Sequence, residues 1–87
     1  LTLPLAIEIR KSAKKTLDSL DAPTRRRIKE KIEAVAADPW NPTNSKPLEN
    51  SLKRSARVGG YRILVEIKDP YLLVSAIGSR NQIYRET

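Results

Sequence analysis

Arg57-Val-Gly-Gly-Tyr-Arg62, with Lys53 and Arg54 just before it and Arg80 and Tyr84 near the end of the sequence, holds the side chains best able to do chemistry. The sequence has no histidine and no cysteine, which removes the usual neutral-pH general base, the commonest metal ligand and all thiolate reactions. Cation and phenol chemistry remain. A guanidinium presents a planar fork of donors to phosphate oxygens, so several arginines on one surface make a phosphate cradle. Cleaving RNA by attack of a 2′-hydroxyl on the adjacent phosphate needs a base, an acid and compensation for charge on the phosphorane. Arg57, Arg62 and Arg80 suit the last role. Phenol and ammonium groups titrate near about 10 and 10.4 in isolation, and neighbouring cations lower both. Tyr84 is therefore a candidate base, with Lys53 or Arg80 as candidate proton donor. A structural tyrosine beside surface arginines stays open as the alternative. The carboxylates are scattered, and Gly59-Gly60 reads as a hairpin turn rather than a nucleotide-binding loop. No metal site and no cofactor are expected.

The elements that position these residues follow from periodicity. Leu3, Leu5, Ile7 and Ile9 recur at period two and predict a strand with one buried face, with Pro4 placing its start at a sheet edge or before the ladder. Ser12 is expected to cap a helix over Ala13 to Leu20, with Ala13, Leu17 and Leu20 inward. Asp21 is expected to cap a second helix from Thr24 to Ala37, whose apolar stripe is Ile28, Ile32, Val35 and Ala36. The Arg25-Arg-Arg27 run reads as a solvated first turn, unfavourably placed against the helix dipole. The proline-rich stretch from Asp38 to Pro47 is a loop, in which Trp40 reads as a lid over the open end of the core in preference to a base-stacking side chain. Lys53 to Val58, Tyr61 to Lys68 and Tyr71 to Ile77 read as three antiparallel strands joined at Gly59-Gly60 and Asp69-Pro70. The fold class is α+β, an N-terminal strand and helical hairpin packed on a small antiparallel sheet in the order β-α-α-β-β-β.

Within the first of those strands, alternation puts Lys53, Ser55 and Arg57 on one face and Arg54, Ala56 and Val58 on the other. The Ala56 and Val58 face should meet the helices. Arg62 then joins Arg57 and Lys53 on the open face.

Eighty-seven residues are expected to make a single domain over 1–87 with a small aliphatic core. The net charge of +7 predicts a polyanionic partner, and residues 53 to 62 carry four basic side chains and no acid. Absence of cysteine, of a signal-like N-terminus and of any membrane-length apolar run gives the expectation of a cytoplasmic protein with no membrane partner.

The stretches Ser12 to Asp21, Lys46 to Ile67 and Ala76 to Arg85, and above all the R-V-G-x-Y-R and G-x-R…Y-R motifs within them, resemble the RelE/ParE superfamily of toxins from bacterial and archaeal toxin-antitoxin systems. The resemblance implies a RelE-like fold and a ribosome-dependent, metal-independent endoribonuclease that cleaves mRNA in the 30S A site. It implies a cognate antitoxin, acidic or amphipathic, and a toxin-antitoxin hetero-oligomer. Lys53, Arg57, Arg62, Arg80 and Tyr84 match the active set of that branch, while Arg54, Ser55 and Tyr61 fall where RNA contacts are expected. Ser55 stands where a lysine is common, with Arg54 beside it as a substitute. The alternatives are the ParE-like branch, which acts on DNA gyrase, and a non-enzymatic basic module that binds RNA or protein.

Overall fold

The computed structural model describes residues 2–79 and 83. Five strands form one sheet in the order β1-β5-β4-β3-β2, where β1 is Ala6–Ile9, β2 Lys46–Pro47, β3 Lys53–Val58, β4 Tyr61–Lys68 and β5 Tyr71–Ser79. Helices α1 (Lys11–Ser19) and α2 (Ala22–Ala37) pack on one face. The architecture is the expected α+β arrangement with two differences. The sheet is mixed, because β1 runs parallel to β5, and the loop before β3 contributes the short edge strand β2.

The core lies between the helices and the sheet: Ala13 and Leu17 from α1, Ile28, Ile32, Val35 and Ala36 from α2, and Ala56, Ile63, Val65, Leu72, Val74 and Ile77 from the strands. The helical stripes at three- and four-residue spacing are those the sequence predicts. The period-two reading of the N-terminus is corrected. Leu5, just before β1, is buried and Ile9 packs half-buried against the main core, but Leu3 and Ile7 are exposed. Helix α1 begins one residue before Ser12, at Lys11, and its N-cap is Arg10 without a side-chain bond, so Ser12 is not the cap.

Asp21 does cap α2, accepting a hydrogen bond from the Thr24 amide at 3.1 Å. Hydrogen bonding by Thr24, first its side chain and then its backbone amide, holds the Asp21 carboxyl below its ordinary value of 3.8. A depressed carboxyl pKa stabilises the fold above the ordinary value, and that contribution disappears as pH falls through the folded-state pKa. Asp21→Ala should therefore lower the thermal midpoint at pH 7, with the gap from the parent closing below about pH 4. Melting curves across that range check it, and a gap independent of pH would rule out the charged cap.

The β3–β4 hairpin turns at Gly59-Gly60, where Gly59 has φ +56 and follows the two-residue turn geometry that needs glycine. Ser75 is an extra residue in β5, opposite the Leu64–Val65 step, and its hydroxyl donates to the Leu64 carbonyl at 3.2 Å. This bulge switches which residues of β5 face the helices: Leu72 and Val74 before it, Ile77 after it. Ala76 is thereby turned to the other face, where it joins Leu64, Ile83 and half-buried Leu48 in a second small apolar cluster. Among the described residues no helix is long and apolar enough to cross a membrane.

Candidate functional site

Strand β3 alternates as the sequence requires, with Ala56 and Val58 packed into the main core and Ser55 and Arg57 on the opposite face. Arg57 and Arg62 are direct cross-strand partners flanking the Gly59-Gly60 turn. They line a depression of about 420 Å³ together with Ser55, Leu48, Lys46 from β2 and Lys31 from α2. Four cations converge there, and among the described residues no carboxylate lines it. Its apolar floor is Leu48, which packs on the Leu64, Ala76 and Ile83 cluster.

Like charges placed directly opposite one another on a sheet oppose pairing. The Arg57–Arg62 pair persists because the hairpin register is set elsewhere, by Ala56 against Ile63 in the core and by the turn itself. Arg57 Nε donates to the Gly59 carbonyl at 3.4 Å, a long bond that leaves the guanidinium exposed. Arg27 of α2 approaches the same turn, its Nη2 lying 3.6 Å from where a Cβ on Gly59 would be. A second shallow surface beside the first is lined by Arg27, Lys31 and Arg57 together with one carboxylate, Glu30.

Arg27, Lys31 and Lys46 are not among the residues expected from the sequence. For two of them a signal exists: Arg27 and Lys31 are four apart on α2, each one residue before a buried isoleucine, Ile28 and Ile32. That spacing puts both on one side of the helix. Lys31 is held there by a bond from Nζ to the Thr43 carbonyl at 3.1 Å. The arginine run divides accordingly. Arg25 is half-buried and donates to the Leu20 carbonyl at 2.9 Å, closing the end of α1, Arg26 is exposed, and Arg27 reaches the hairpin turn.

The remaining expected site residues are distributed unequally. Lys53 pairs across the sheet with Glu66 and lines a neighbouring depression at the far end of β3, away from Arg57 and Arg62. Arg54 is turned to the helix side and half-buried, with Nε donating to Ser45 Oγ at 2.8 Å and Nη2 to the Ser45 carbonyl at 3.0 Å. Its guanidinium secures the loop before β2, so it does not stand in for a lysine at position 55. Tyr61 packs against the main core on the helix side of the sheet, because it alternates with Arg62. Arg80 and Tyr84 lie outside the described residues.

Trp40 departs from its expected role. It is 55% exposed and does not close the core, whereas its neighbour Pro39 is fully buried.

A family model described as the ParE toxin of a type II toxin-antitoxin system, parDE, matches residues 7–84. No curated protein sequence matches the chain. Several solved structures do. A RelBE-type toxin-antitoxin complex from Mycobacterium tuberculosis contains a chain 24% identical, with a TM-score of 0.76 over 92% of this chain and 95% of that one. The archaeal RelE–RelB complex from Pyrococcus horikoshii aligns at 22% identity and TM-score 0.75, covering 92% and 99%. A mutant of Escherichia coli RelE in the free state aligns at 21% identity and TM-score 0.78, covering 97% and 94%. At these identities the likeness is one of fold.

Proposed function

The chain belongs to the ParE toxin family of type II toxin-antitoxin systems, within the RelE/ParE superfamily, and we propose, from its site and not from that family description, that it follows the RelE-like branch and is a metal-independent endoribonuclease that cleaves mRNA in the ribosomal A site. The observation that carries this reading is the depression where Lys31, Lys46, Arg57 and Arg62 meet around Ser55, lined by no carboxylate among the described residues. Such a surface fits a phosphodiester that gains negative charge during reaction.

In the proposed reaction the 2′-oxygen of the nucleotide on one side of the scissile phosphate attacks phosphorus and loses its proton to a base. The bond from phosphorus to the 5′-oxygen breaks, and that oxygen takes up a proton. A 2′,3′-cyclic phosphate and a 5′-hydroxyl result. Arg57 and Arg62 hold the non-bridging oxygens and offset the charge of the phosphorane. Tyr84 is the proposed base, with Arg80 delivering the proton to the leaving oxygen; Lys53, at the far end of β3, stands too far from Arg57 and Arg62 for that step. Support for Tyr84 comes from its neighbour: Ile83 is buried against Leu64 and Ala76, on the Arg62 side of the sheet. Ser55 lies in the depression as a hydrogen-bonding group, and its short side chain leaves room for substrate.

The proposal extends to a single domain over residues 1–87, acting in the cytoplasm on the 30S subunit and mRNA. Similar structures are described as complexes of toxin with antitoxin. By the same chemistry a cognate antitoxin of this chain would lay carboxylates over the basic face, forming a hetero-oligomer that blocks the phosphate site.

The test is a 5′-end map of mRNA on purified ribosomes. Wild type should cut within the A-site codon, and Tyr84→Phe should lose roughly 10²- to 10⁴-fold of that activity, the usual contribution of proton transfer by a positioned group. The family model's own description favours a second reading, the ParE-like inhibitor of gyrase. Uncut mRNA together with stalled gyrase would select it, and neither effect would leave a basic binding module.

A further inference from the structure

Trp40 is the sole tryptophan of the sequence, yet it is 55% exposed. Its exposure is built rather than left over from a loose loop. Asn41 Nδ2 donates to the Asp38 carboxylate at 3.1 Å, Asn44 Nδ2 donates to the Ala34 carbonyl at 3.1 Å, and the Ser45 hydroxyl donates to the Pro39 carbonyl at 3.1 Å. Arg54 then locks buried Ser45 to β3. The residue before Trp40 is buried and those after it are tied to α2 and β3, so the indole is presented outward from a fixed turn.

The indole borders a depression of about 410 Å³ lined also by exposed Leu52, half-buried Ile67, and the basic residues Lys53, Arg54 and Lys68 against one carboxylate, Glu66. Pro47 lines both this depression and the one holding Arg57 and Arg62. From Arg57 to Lys53 the strand runs about 13 Å, a reach of a few nucleotides. An exposed indole among cations, in a depression that shares Pro47 with the one holding Arg57 and Arg62, has the composition of a single-strand nucleic-acid platform. An acidic amphipathic protein segment would also use an exposed indole, and the test below separates it from RNA.

We infer that Trp40 is a stacking platform for an unpaired base of the RNA strand whose phosphate occupies the Arg57–Arg62 depression. The inference rests on the proposed RNA substrate and adds a second point of contact that positions it. Because the turn is already ordered, stacking costs little additional conformational entropy.

Titrating the full chain with a single-stranded hexaadenylate should quench the intrinsic fluorescence of Trp40 to saturation. With the same oligonucleotide carrying a fluorescent label, Trp40→Ala should bind roughly 5- to 150-fold more weakly than wild type. Trp40→Phe should recover most of the loss, because the face is retained. The thermal midpoint of Trp40→Ala should match wild type, separating lost stacking from lost folding. Equal affinity of Trp40→Ala and wild type for the labelled hexaadenylate, or no quenching at saturation, overturns the platform. Equal RNA affinity with weakened binding of a synthetic acidic amphipathic helix would also overturn it and assign the surface to a protein. The ribosome assay stands apart: wild type that fails to cut mRNA defeats the proposed function whatever the oligonucleotide shows. Wild type and Trp40→Ala cutting and binding equally well defeats only the platform.

Discussion

Arg62→Ala is expected to lower ribosome-dependent mRNA cleavage roughly 10²- to 10³-fold, the loss typical when one preorganised donor to a developing anion is removed. The same substitution should leave the fold intact. Arg62 faces Arg57 across the β3–β4 ladder, a like-charge position that does not itself favour strand pairing. The chain segments around the pair are held by contacts that do not depend on either charge, with Ile63 and Ala56 in the main core. Loss of activity with the fold retained marks a residue kept for function. Single-turnover cleavage on ribosomes, read beside a thermal melt, measures both quantities. Cleavage at the wild-type rate would remove Arg62 from the site, and a large fall in melting temperature would show it to be a structural residue instead.

The second large effect distinguishes two adjacent buried side chains. Ile63 and Leu64 are both fully buried, yet they point to opposite faces of the sheet. Ile63→Ala opens a cavity between sheet and helices and should cost about 2–5 kcal/mol. For a domain of this size that is a large share of a total near about 5–15 kcal/mol. The surviving folded molecules should still cut at close to the wild-type rate, because the phosphate-holding face is untouched. Leu64→Ala should destabilise by a similar amount. It also removes the surface against which Ile83 packs, so cleavage per folded molecule should fall as well, through misplacement of the neighbouring Tyr84. Urea unfolding gives the folded fraction, and cleavage normalised to it gives the second number. If the two variants retain the same activity per folded molecule, the proposed link from Leu64 through Ile83 to the site is wrong.

Most of what the sequence determined is local. The boundaries of β3 and β4, the two turns around β4, the apolar stripe of α2 and the Asp21 cap are set by turn chemistry and by the two backbone periodicities. Alternation alone puts Arg57 and Arg62 on one face opposite Ala56 and Val58, and the structure keeps them there. Association between distant segments depends on which surfaces find one another, and periodicity carries no information about that. The parallel pairing of β1 with β5 exposes Ile7, although its spacing matches that of buried Leu5. The bulge at Ser75 switches the inward-facing positions of β5 in mid-strand. Lys31 and Arg27 come to stand beside Arg57 only because α2 packs against β3. Ser45 claims Arg54 for the loop, and the hydrogen bonds of that loop bury Pro39 and turn Trp40 out. The sequence thus determined which side chains could hold a phosphate, because residue type and strand parity decide that within a single hairpin. Tertiary packing decided which other cations and which aromatic surface stand beside them, because those come from segments far apart in the chain.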